Sequence, residues 1–363
     1  MKKNIALVIG QLSLGGSEKQ LFLLAKGLRK SNYNVLVIVL SSIVEPYGRM
    51  LKNDGVEVIS IKKRLPYIDF FRIFHLRKKL KDKKINIIYS FSLTANYYSF
   101  FSVLFEQNIN FISGSRNIET DRGRFLKIID DTIIRNAKAL ITNSHSNLDY
   151  IKSNSKKPES INGFVINNGI DIKSKISISY NKNKKHISIG TIALFKKQKN
   201  YPLFIKLCQE IASTFERITF MSIGYGPEFE KMVLYAKENN LDKKLKFMGN
   251  SIDAEKIMEE NFDIFLLTSY KEGLPNVVME AMSLGIPVVS TNVGGVKELI
   301  EHNKTGFLVP SNDLNGLVKY CSLLIKSQAL RRKIGERGRR FINNKFSSEK
   351  MVDEFKEVFN NFI

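Results

Sequence analysis

The sequence predicts an α/β protein with two doubly wound domains, because short apolar runs alternate with helix-length segments from one end of the chain to the other. The runs are rich in Val and Ile and nearly continuous, which is typical of parallel strands covered on both faces. The pattern occurs twice, on either side of a stretch rich in Ser, Asn and Lys. With 363 residues, the chain is long enough for two domains that each bury a core.

Thirteen runs are predicted to be strands. In chain order they cover residues 5–10, 35–40, 56–61, 85–91, 111–114, 139–142, 164–167, 187–193, 218–224, 245–249, 264–268, 287–291 and 306–309. We therefore expect a first domain over residues 1–172, a linker over 173–185 and a second domain over 186–345. Residues 346–363 have the spacing of an amphipathic helix, which we expect to pack back toward the first domain.

Composition excludes several classes of protein. Apolar residues make up 43% of the chain and charged residues 25%, as in ordinary globular domains. Two cysteines give neither a disulfide framework nor a zinc site, and Cys208 and Cys321 both lie on apolar helix stripes, so we expect them in the core. The uncharged stretch 85–105 is interrupted by Ser and Asn, which favours a strand and a helix over a membrane span. No secretory signal is recognised, and we expect a cytoplasmic protein.

The net charge is unusual, since 57 Lys and Arg against 35 Asp and Glu give +22. A Lys-rich proteome would explain it, and so would an anionic partner. Residues 62–84 hold ten basic and two acidic side chains interleaved with aromatics, which is typical of an interfacial membrane anchor. The alternative is a surface helix that buries Phe70, Phe71 and Phe74 in the core. No nucleic-acid recognition motif accompanies the charge, so no nucleic-acid partner is predicted.

The first candidate motif is Gly15-Gly16-Ser17-Glu18, which lies between the first strand and a helix. Glycines allow close approach of the backbone, and the N–H groups at a helix start favour an anion such as a phosphate. The alternative is a plain turn in which Ser17 caps the helix.

The second candidate motif holds Glu272 in a loop and Glu280 in the helix that follows, around Gly273-Leu274-Pro275. Two carboxylates placed this way can face one cleft at different depths. Because a carboxylate repels a diphosphate, the two glutamates are more suited to accepting hydrogen bonds from sugar hydroxyls. Two solvated glutamates around a helix start are the alternative.

The surroundings of this motif closely resemble the donor-binding half of the family-four retaining glycosyltransferases, the glycosyl transferases group 1 type. The resemblance is specific in the two glutamates with seven residues between them and in the Gly-Gly-x-x-Glu sequence that follows them. It extends thinly over the rest of the chain. The residues that carry it are 263–276, 280–282, 285–289, 294–300, 305–310, 15–18 and 168–171.

The resemblance implies the GT-B fold, two Rossmann-like domains with a nucleotide sugar in the cleft between them, and transfer with retention and without a bound metal. It implies two catalytic residues: Glu272 would hold the hydroxyls of the donor sugar, and Lys199 would neutralise the diphosphate. Glu280 would hold the ribose hydroxyls. The further donor-binding residues it implies are Gly16, Gly224, Gly226, Met248, Gly249, Gly273, Leu274, Asn276 and Val277.

Two positions depart from the family pattern. Leu194 stands where the family usually has an arginine that neutralises the diphosphate, and Lys196 and Lys197 are candidates to replace it. Arg116 stands near a position that is often histidine. It could bind the donor phosphate or an anionic acceptor, or form an ion pair with Glu119.

The acceptor side is marked only weakly in the sequence. Ser92 and Asn96 follow the fourth strand and are candidate acceptor-side residues. His145 lies at a loop edge and has no identified role.

The resemblance thus implies an enzyme, a hexosyl- or N-acetylhexosaminyltransferase without a cofactor. The donor would be a nucleotide sugar, expected to be a UDP-sugar. The acceptor would be undecaprenyl-linked or a saccharide, in the assembly of a surface polysaccharide such as O-antigen or capsule. We expect the protein to be cytoplasmic and peripherally associated with the inner face of the cytoplasmic membrane. The alternatives are a nucleotide-sugar 2-epimerase, a transferase for a soluble acceptor, and a catalytically weak binding subunit.

Overall fold

The chain divides into two α/β units in a computed structural model that describes residues 3–65, 69–117, 123–172 and 186–362. The first unit combines Met1–Gly169 with Ser348–Ile363, and the second comprises Ile170–Ser347. The division after residue 169 replaces the one expected after residue 172. The predicted linker, 173–185, lies outside the described residues.

The first unit is built on a seven-stranded parallel sheet in the order β3-β2-β1-β4-β5-β6-β7. Its strands are β1 Asn4–Ile9, β2 Asn34–Val39, β3 Glu57–Ser60, β4 Ile87–Ser90, β5 Asn110–Ser115, β6 Ala139–Thr142 and β7 Gly163–Val165. Its helices are α1 Gly16–Lys30, α2 Tyr47–Asn53, α3 Phe70–Asp82, α4 Leu93–Val103, α5 Arg124–Asn136 and α6 His145–Ser153, with the last helix, α14, Ser348–Asn360.

The second unit is built on a six-stranded parallel sheet in the order β10-β9-β8-β11-β12-β13. Its strands are β8 Ile187–Ile192, β9 Ile218–Ile223, β10 Leu245–Phe247, β11 Ile264–Leu267, β12 Val288–Thr291 and β13 Phe307–Val309. Its helices are α7 Tyr201–Thr214, α8 Phe229–Glu238, α9 Ala254–Asn261, α10 Asn276–Ser283, α11 Val296–Leu299, α12 Leu314–Lys326 and α13 Gln328–Lys345.

Helices cover both faces of each sheet, as the continuous apolar runs predict. In the first unit, α1 and α14 pack on one face, while α3, α4 and α5 pack on the other. In the second unit, Cys208 of α7 and Cys321 of α12 are fully buried on one face, which confirms that they belong to the core. The stretch 85–105 is strand β4 followed by α4, and no described helix is long and apolar enough to cross a bilayer.

Each sheet reverses its strand order at one point, between β1 and β4 in the first unit and between β8 and β11 in the second. In open parallel sheets, ligands bind beyond the carboxyl ends of the strands at such a reversal. The loops that follow β8 and β11 hold Lys199 and Glu272, and Gly16 begins helix α1 directly after the loop that follows β1. The topology alone therefore brings Lys199 and Glu272 to one edge of the second sheet.

The last helix, α14, completes the core of the first unit. A Cβ on Gly27 of α1 would lie 2.3 Å from Cγ2 of Val352, so the glycine lets the two helices pack closely. Phe355 and Phe359 are fully buried, with ring centroids 5.2 and 5.9 Å from that of Tyr89 in β4.

Candidate functional site

The two residues expected to be catalytic form an ion pair in the second unit. Lys199 Nζ lies 2.6 Å from Glu272 Oε1, and Ser269 Oγ donates a hydrogen bond to the same oxygen at 2.6 Å. Glu272 is 7% exposed and Ser269 is fully buried. Oε1 is therefore held by two donors, whereas no hydrogen bond to Oε2 is formed among the residues that the structure describes.

Backbone contacts fix the loop that carries Lys199 against the loop that carries Glu272. The backbone N–H of Tyr270 donates to the carbonyl of Gln198 at 2.8 Å, and Thr268 Oγ1 donates to the carbonyl of Lys199 at 3.1 Å. From the next strand, Thr291 Oγ1 donates to the carbonyl of Ser269 at 2.7 Å. The ion pair therefore joins two loops that their backbones already hold together.

Gly294 allows the following turn to press against the Glu272 loop. Its φ of +52° lies in the left-handed region, and a Cβ there would lie 1.8 Å from the carbonyl oxygen of Glu272. The neighbouring N–H of Gly295 donates to the carbonyl of Gly273 at 2.8 Å. The Gly-Gly pair of the sequence motif thus acts as a support for the backbone of Glu272 and Gly273.

Helix α10 begins at Asn276, directly after the Glu272 loop. The N-cap residue is Pro275, which makes no side-chain cap hydrogen bond. Gly273, Leu274 and Asn276 are buried, whereas Val277 and Glu280 are partly exposed. The structure therefore sets the second carboxylate of the motif one turn into α10.

Four of the expected donor-binding residues follow β9 and β10, and they divide into two kinds. Added Cβ atoms on Gly224 and Gly226 would lie 2.0 Å from the carbonyl oxygen of Ala193 and 2.7 Å from that of Phe195. Both glycines thus have a packing function, which the resemblance did not reveal. Gly249 has a φ of +65° with nothing within 4 Å of an added Cβ, and it accepts a hydrogen bond from the N–H of Gly224 at 2.8 Å. Met248 is half-buried against the core.

Lys196, Lys197 and Leu194 all lie on the surface of the loop after β8. Leu194 is 42% exposed, and its carbonyl accepts a hydrogen bond from the N–H of Lys196 at 2.8 Å. Two exposed cations thus stand within three residues of the position that lacks the family arginine.

The glycine-rich turn of the first unit lies at the start of α1. The helix begins at Gly16 with Gly15 as N-cap, a residue that has no side chain to accept a hydrogen bond. The alternative interpretation, in which Ser17 is the cap, is therefore wrong, since Ser17 lies inside the helix.

Arg116 is 5% exposed and lies at the carboxyl end of β5. Its Nη1 donates to Asn168 Oδ1 at 2.5 Å, and its guanidinium lies 4.6 Å from the ring centroid of Phe91. Burial raises the pKa of Tyr89, whose hydroxyl accepts from Arg116 Nη2 at 3.5 Å, although the nearby guanidinium opposes that rise. Glu119, the alternative partner of Arg116, lies outside the described residues.

The two weak acceptor-side candidates, Ser92 and Asn96, make structural contacts within the first unit. Ser92 is the N-cap of α4 and accepts from the N–H of Ala95 at 3.3 Å. Asn96 is 2% exposed and exchanges two hydrogen bonds with the backbone of Gly114, so its amide holds α4 to β5.

Two family models match the chain, one over each unit. Glycosyltransferase Family 4 matches residues 14–174, and Glycosyl transferases group 1 matches residues 172–341. The chain belongs to this glycosyltransferase family.

Named relatives and a solved structure agree with this assignment. The chain is 30% identical over 161 residues to N-acetyl-alpha-D-glucosaminyl L-malate synthase of Bacillus anthracis, which covers 43% of the chain and 42% of that protein. It is 28% identical over 227 residues to the capsular polysaccharide biosynthesis glycosyltransferase CapM of Staphylococcus aureus, covering 59% of the chain and 58% of CapM. The chain thus spans about half the length of these two relatives.

The fold is that of the GT-B glycosyltransferases. The crystal structure of Anabaena Alr3699/HepE in complex with UDP-glucose superposes with a TM-score of 0.87 at 18% identity, covering 99% of both chains. The expectation of a two-domain GT-B fold is therefore confirmed.

Three residues of this glycosyltransferase escaped the reasoning from sequence. Ser269 and Thr291 position Glu272, and Gln20 of α1, fully buried, exchanges two 2.8 Å hydrogen bonds with the backbone of Gly169. Of the three, only Ser269 could have been suspected from the sequence, because it lies three residues before Glu272 and close to the end of a strand.

Proposed function

We propose that this glycosyltransferase moves a sugar from a nucleotide-diphosphate donor to an acceptor with retention at the anomeric carbon and without a metal. The observation that carries the proposal is the pairing of Lys199 with Glu272, which places a carboxylate and a cation side by side at the carboxyl edge of the second sheet. A sugar diphosphate needs both, since its hydroxyls donate to carboxylates and its phosphates accept from cations.

The geometry assigns a task to each group. With Oε1 held by Ser269 and Lys199, Glu272 keeps Oε2 to accept from a sugar hydroxyl. Lys199 has further N–H donors for the diphosphate, whose negative charge grows as its bond to the sugar breaks. An oxygen of the departing diphosphate then takes the proton of the incoming hydroxyl on the same face of the sugar.

The donor nucleotide and the acceptor are proposed from the relatives. The HepE structure holds UDP-glucose, which favours a UDP-sugar here. CapM belongs to capsular polysaccharide biosynthesis, which favours a lipid-linked or saccharide acceptor in surface polysaccharide assembly, O-antigen included. The malate synthase is named for a small soluble acceptor, and we take that as the competing possibility.

Attachment to the inner face of the membrane through residues 62–84 is part of this proposal. Phe70, Phe71 and Phe74 of α3 are 60, 60 and 64% exposed, which contradicts the alternative that they bury in the core. Residues 66–68 of the segment lie outside the described residues. Lysines further along the same helix would contact anionic head groups, each contributing about 1 kcal/mol.

The test is a transfer assay over a panel of nucleotide sugars with Glu272→Gln and Lys199→Ala. We expect Glu272→Gln to lower the transfer rate about tenfold or more, and Lys199→Ala to lower it further. Each substitution removes a charged side chain that would contact the donor. The matched controls are Glu301→Gln and Lys304→Ala, which change an exposed pair 3.6 Å apart in the same unit. Conversion of the donor into an epimeric nucleotide sugar without an acceptor would instead indicate an epimerase, and wild-type rates in both site variants would defeat the assignment.

A further inference from the structure

Helix α5 begins with an apolar surface that nothing in the described structure covers. Phe125, Leu126 and Ile128 are 74, 44 and 47% exposed, and all residues from 124 to 128 are exposed. The apolar positions that follow, such as Ile133 and Ile134, are buried in the usual way. The first turn and a half of α5 therefore presents the kind of contiguous apolar surface that marks an interaction site.

The exposed aromatics of α3 lie on the same side and at the same edge of the sheet. Helices α3, α4 and α5 share one face of the sheet, with α4 in contact with both of the others. Because α3 precedes β4 and α5 precedes β6 in a parallel sheet, both helices start at the carboxyl edge. The exposed side chains of their first turns therefore stand on one surface with α4 between them.

The exposed charges near these two helix starts are positive, because Asp69, the N-cap of α3, is fully buried. Arg124 and Lys127 accompany the apolar residues of α5, and no acidic residue occurs in residues 123–129 or 70–81. Further along α5, Asp131 is paired with Arg135 at 3.0 Å. A second copy of this surface would set cations against cations, whereas an anionic bilayer offers both an apolar interior and negative head groups.

We propose that the start of α5 is a second membrane-contacting element, which inserts Phe125, Leu126 and Ile128 into an anionic bilayer beside the aromatics of α3. This inference rests on the membrane attachment within the proposed function and extends it beyond residues 62–84. Two separate apolar contacts fix the orientation of the first unit on the bilayer, which one helix alone does not.

The test is sedimentation with vesicles of phosphatidylglycerol and phosphatidylcholine, comparing Phe125→Ser/Ile128→Ser with the wild type. We expect the double variant to lower the partition coefficient about tenfold or more. The matched control is Leu234→Ser/Ile252→Ser, two residues 62 and 66% exposed in the second unit, which should stay within about twofold. All four side chains are exposed, and circular dichroism checks that each variant folds.

A salt series separates the α5 contact from the lysines of α3. At about 0.5 M salt, head-group attraction is largely screened, so the binding that remains comes from the apolar side chains of α3 and α5, and Phe125→Ser/Ile128→Ser should lower it. Charge reversal at Lys78, Lys79 and Lys81 should act mainly at low salt. If the α5 variant binds like the wild type while the lysine variant loses binding, α5 makes no contact and the inference is overturned.

A fluorescent label reports insertion directly. Cys208 and Cys321 are fully buried, so an environment-sensitive probe on Phe125→Cys labels that site selectively. We expect a blue shift with vesicles, and none from the same probe on Leu234→Cys. Absence of a shift at position 125 would overturn the inference, as would a concentration-dependent dimer that Phe125→Ser/Ile128→Ser abolishes without changing vesicle binding.

The result of the vesicle-binding test can be interpreted separately from the result of the transfer assay. Transfer to a short, lipid-free acceptor should be the same for Phe125→Ser/Ile128→Ser and the wild type, because neither residue belongs to the donor site. Loss of vesicle binding with unchanged transfer supports the inference, whereas the Glu272 and Lys199 variants test the chemistry alone.

Discussion

At the scale of single residues, the candidate site depends on side chains that hold Glu272 as much as on Glu272 itself. Ser269 and Lys199 donate to one carboxylate oxygen, and Gly294 admits the turn that supports the backbone. A carboxylate held through one oxygen presents the other in a fixed direction, which lowers the cost of orienting it toward a substrate hydroxyl.

Ser269 is therefore expected to be a positioning residue. Ser269→Ala removes one of the two hydrogen bonds to Oε1, and we expect kcat to fall about tenfold, with a smaller change in the KM of the donor. Steady-state kinetics of Ser269→Ala and of the conservative Ser269→Thr check this, with rescue expected from threonine. Ser213→Ala, which removes an exposed hydroxyl from α7, serves as the control. An equal loss of activity in the alanine and threonine variants would point to a packing effect instead.

At the scale of elements, the sequence predicted the strands well. It predicted the structural roles of several individual residues poorly. Each of the thirteen predicted runs overlaps a strand, because a buried parallel strand requires a continuous apolar run. The functions of Gly224 and Asn96 could not be predicted, since each depends on a backbone carbonyl or amide from a distant part of the chain. Sequence spacing indicates which loop carries a residue, but not which residues from other parts of the chain that residue contacts.

Helix α3 shows what a single cap contributes. Asp69 is fully buried, and its carboxylate accepts from the N–H groups of Arg64 at 2.6 Å and Arg72 at 3.2 Å. Burial by itself would raise the pKa of Asp69, but these N–H groups and the charge of Arg72 outweigh it, so the pKa lies below its usual value.

Asp69→Ala should destabilise the protein by about 1 to 2 kcal/mol at pH 7. The folded pKa is lowered, so the stabilisation is complete above the ordinary pKa of an aspartate and is lost as the pH falls through the folded value. Urea unfolding of wild type and variant between pH 7 and pH 3 should show the difference shrinking toward the acid end. A difference that stays constant over this range would mean that the charge of Asp69 is not what stabilises α3.

At the scale of the whole molecule, the last thirteen-residue helix belongs to the unit where the chain begins. The sequence indicated this only through the apolar spacing of residues 346–363. In the structure, α14 fills the face of the first sheet beside α1, and Arg116 lies 5.8 Å from the ring centroid of Phe355. The chain must therefore be complete through α14 before the first unit has its full core.

Phe355→Ala should show this dependence. The side chain is fully buried, and its ring centroid lies 5.2 Å from that of Tyr89 and 5.6 Å from that of Phe359, so truncation leaves a cavity and should cost about 3 to 5 kcal/mol in the free energy of unfolding. The control is Phe105→Ala in the same unit, which is 79% exposed and should cost no more than about 0.5 kcal/mol. Urea unfolding followed by circular dichroism measures both variants. Equal costs for the two would show that α14 adds little to the first unit, whereas a large cost confined to Phe355→Ala would mean that this unit takes its stability from both ends of the chain.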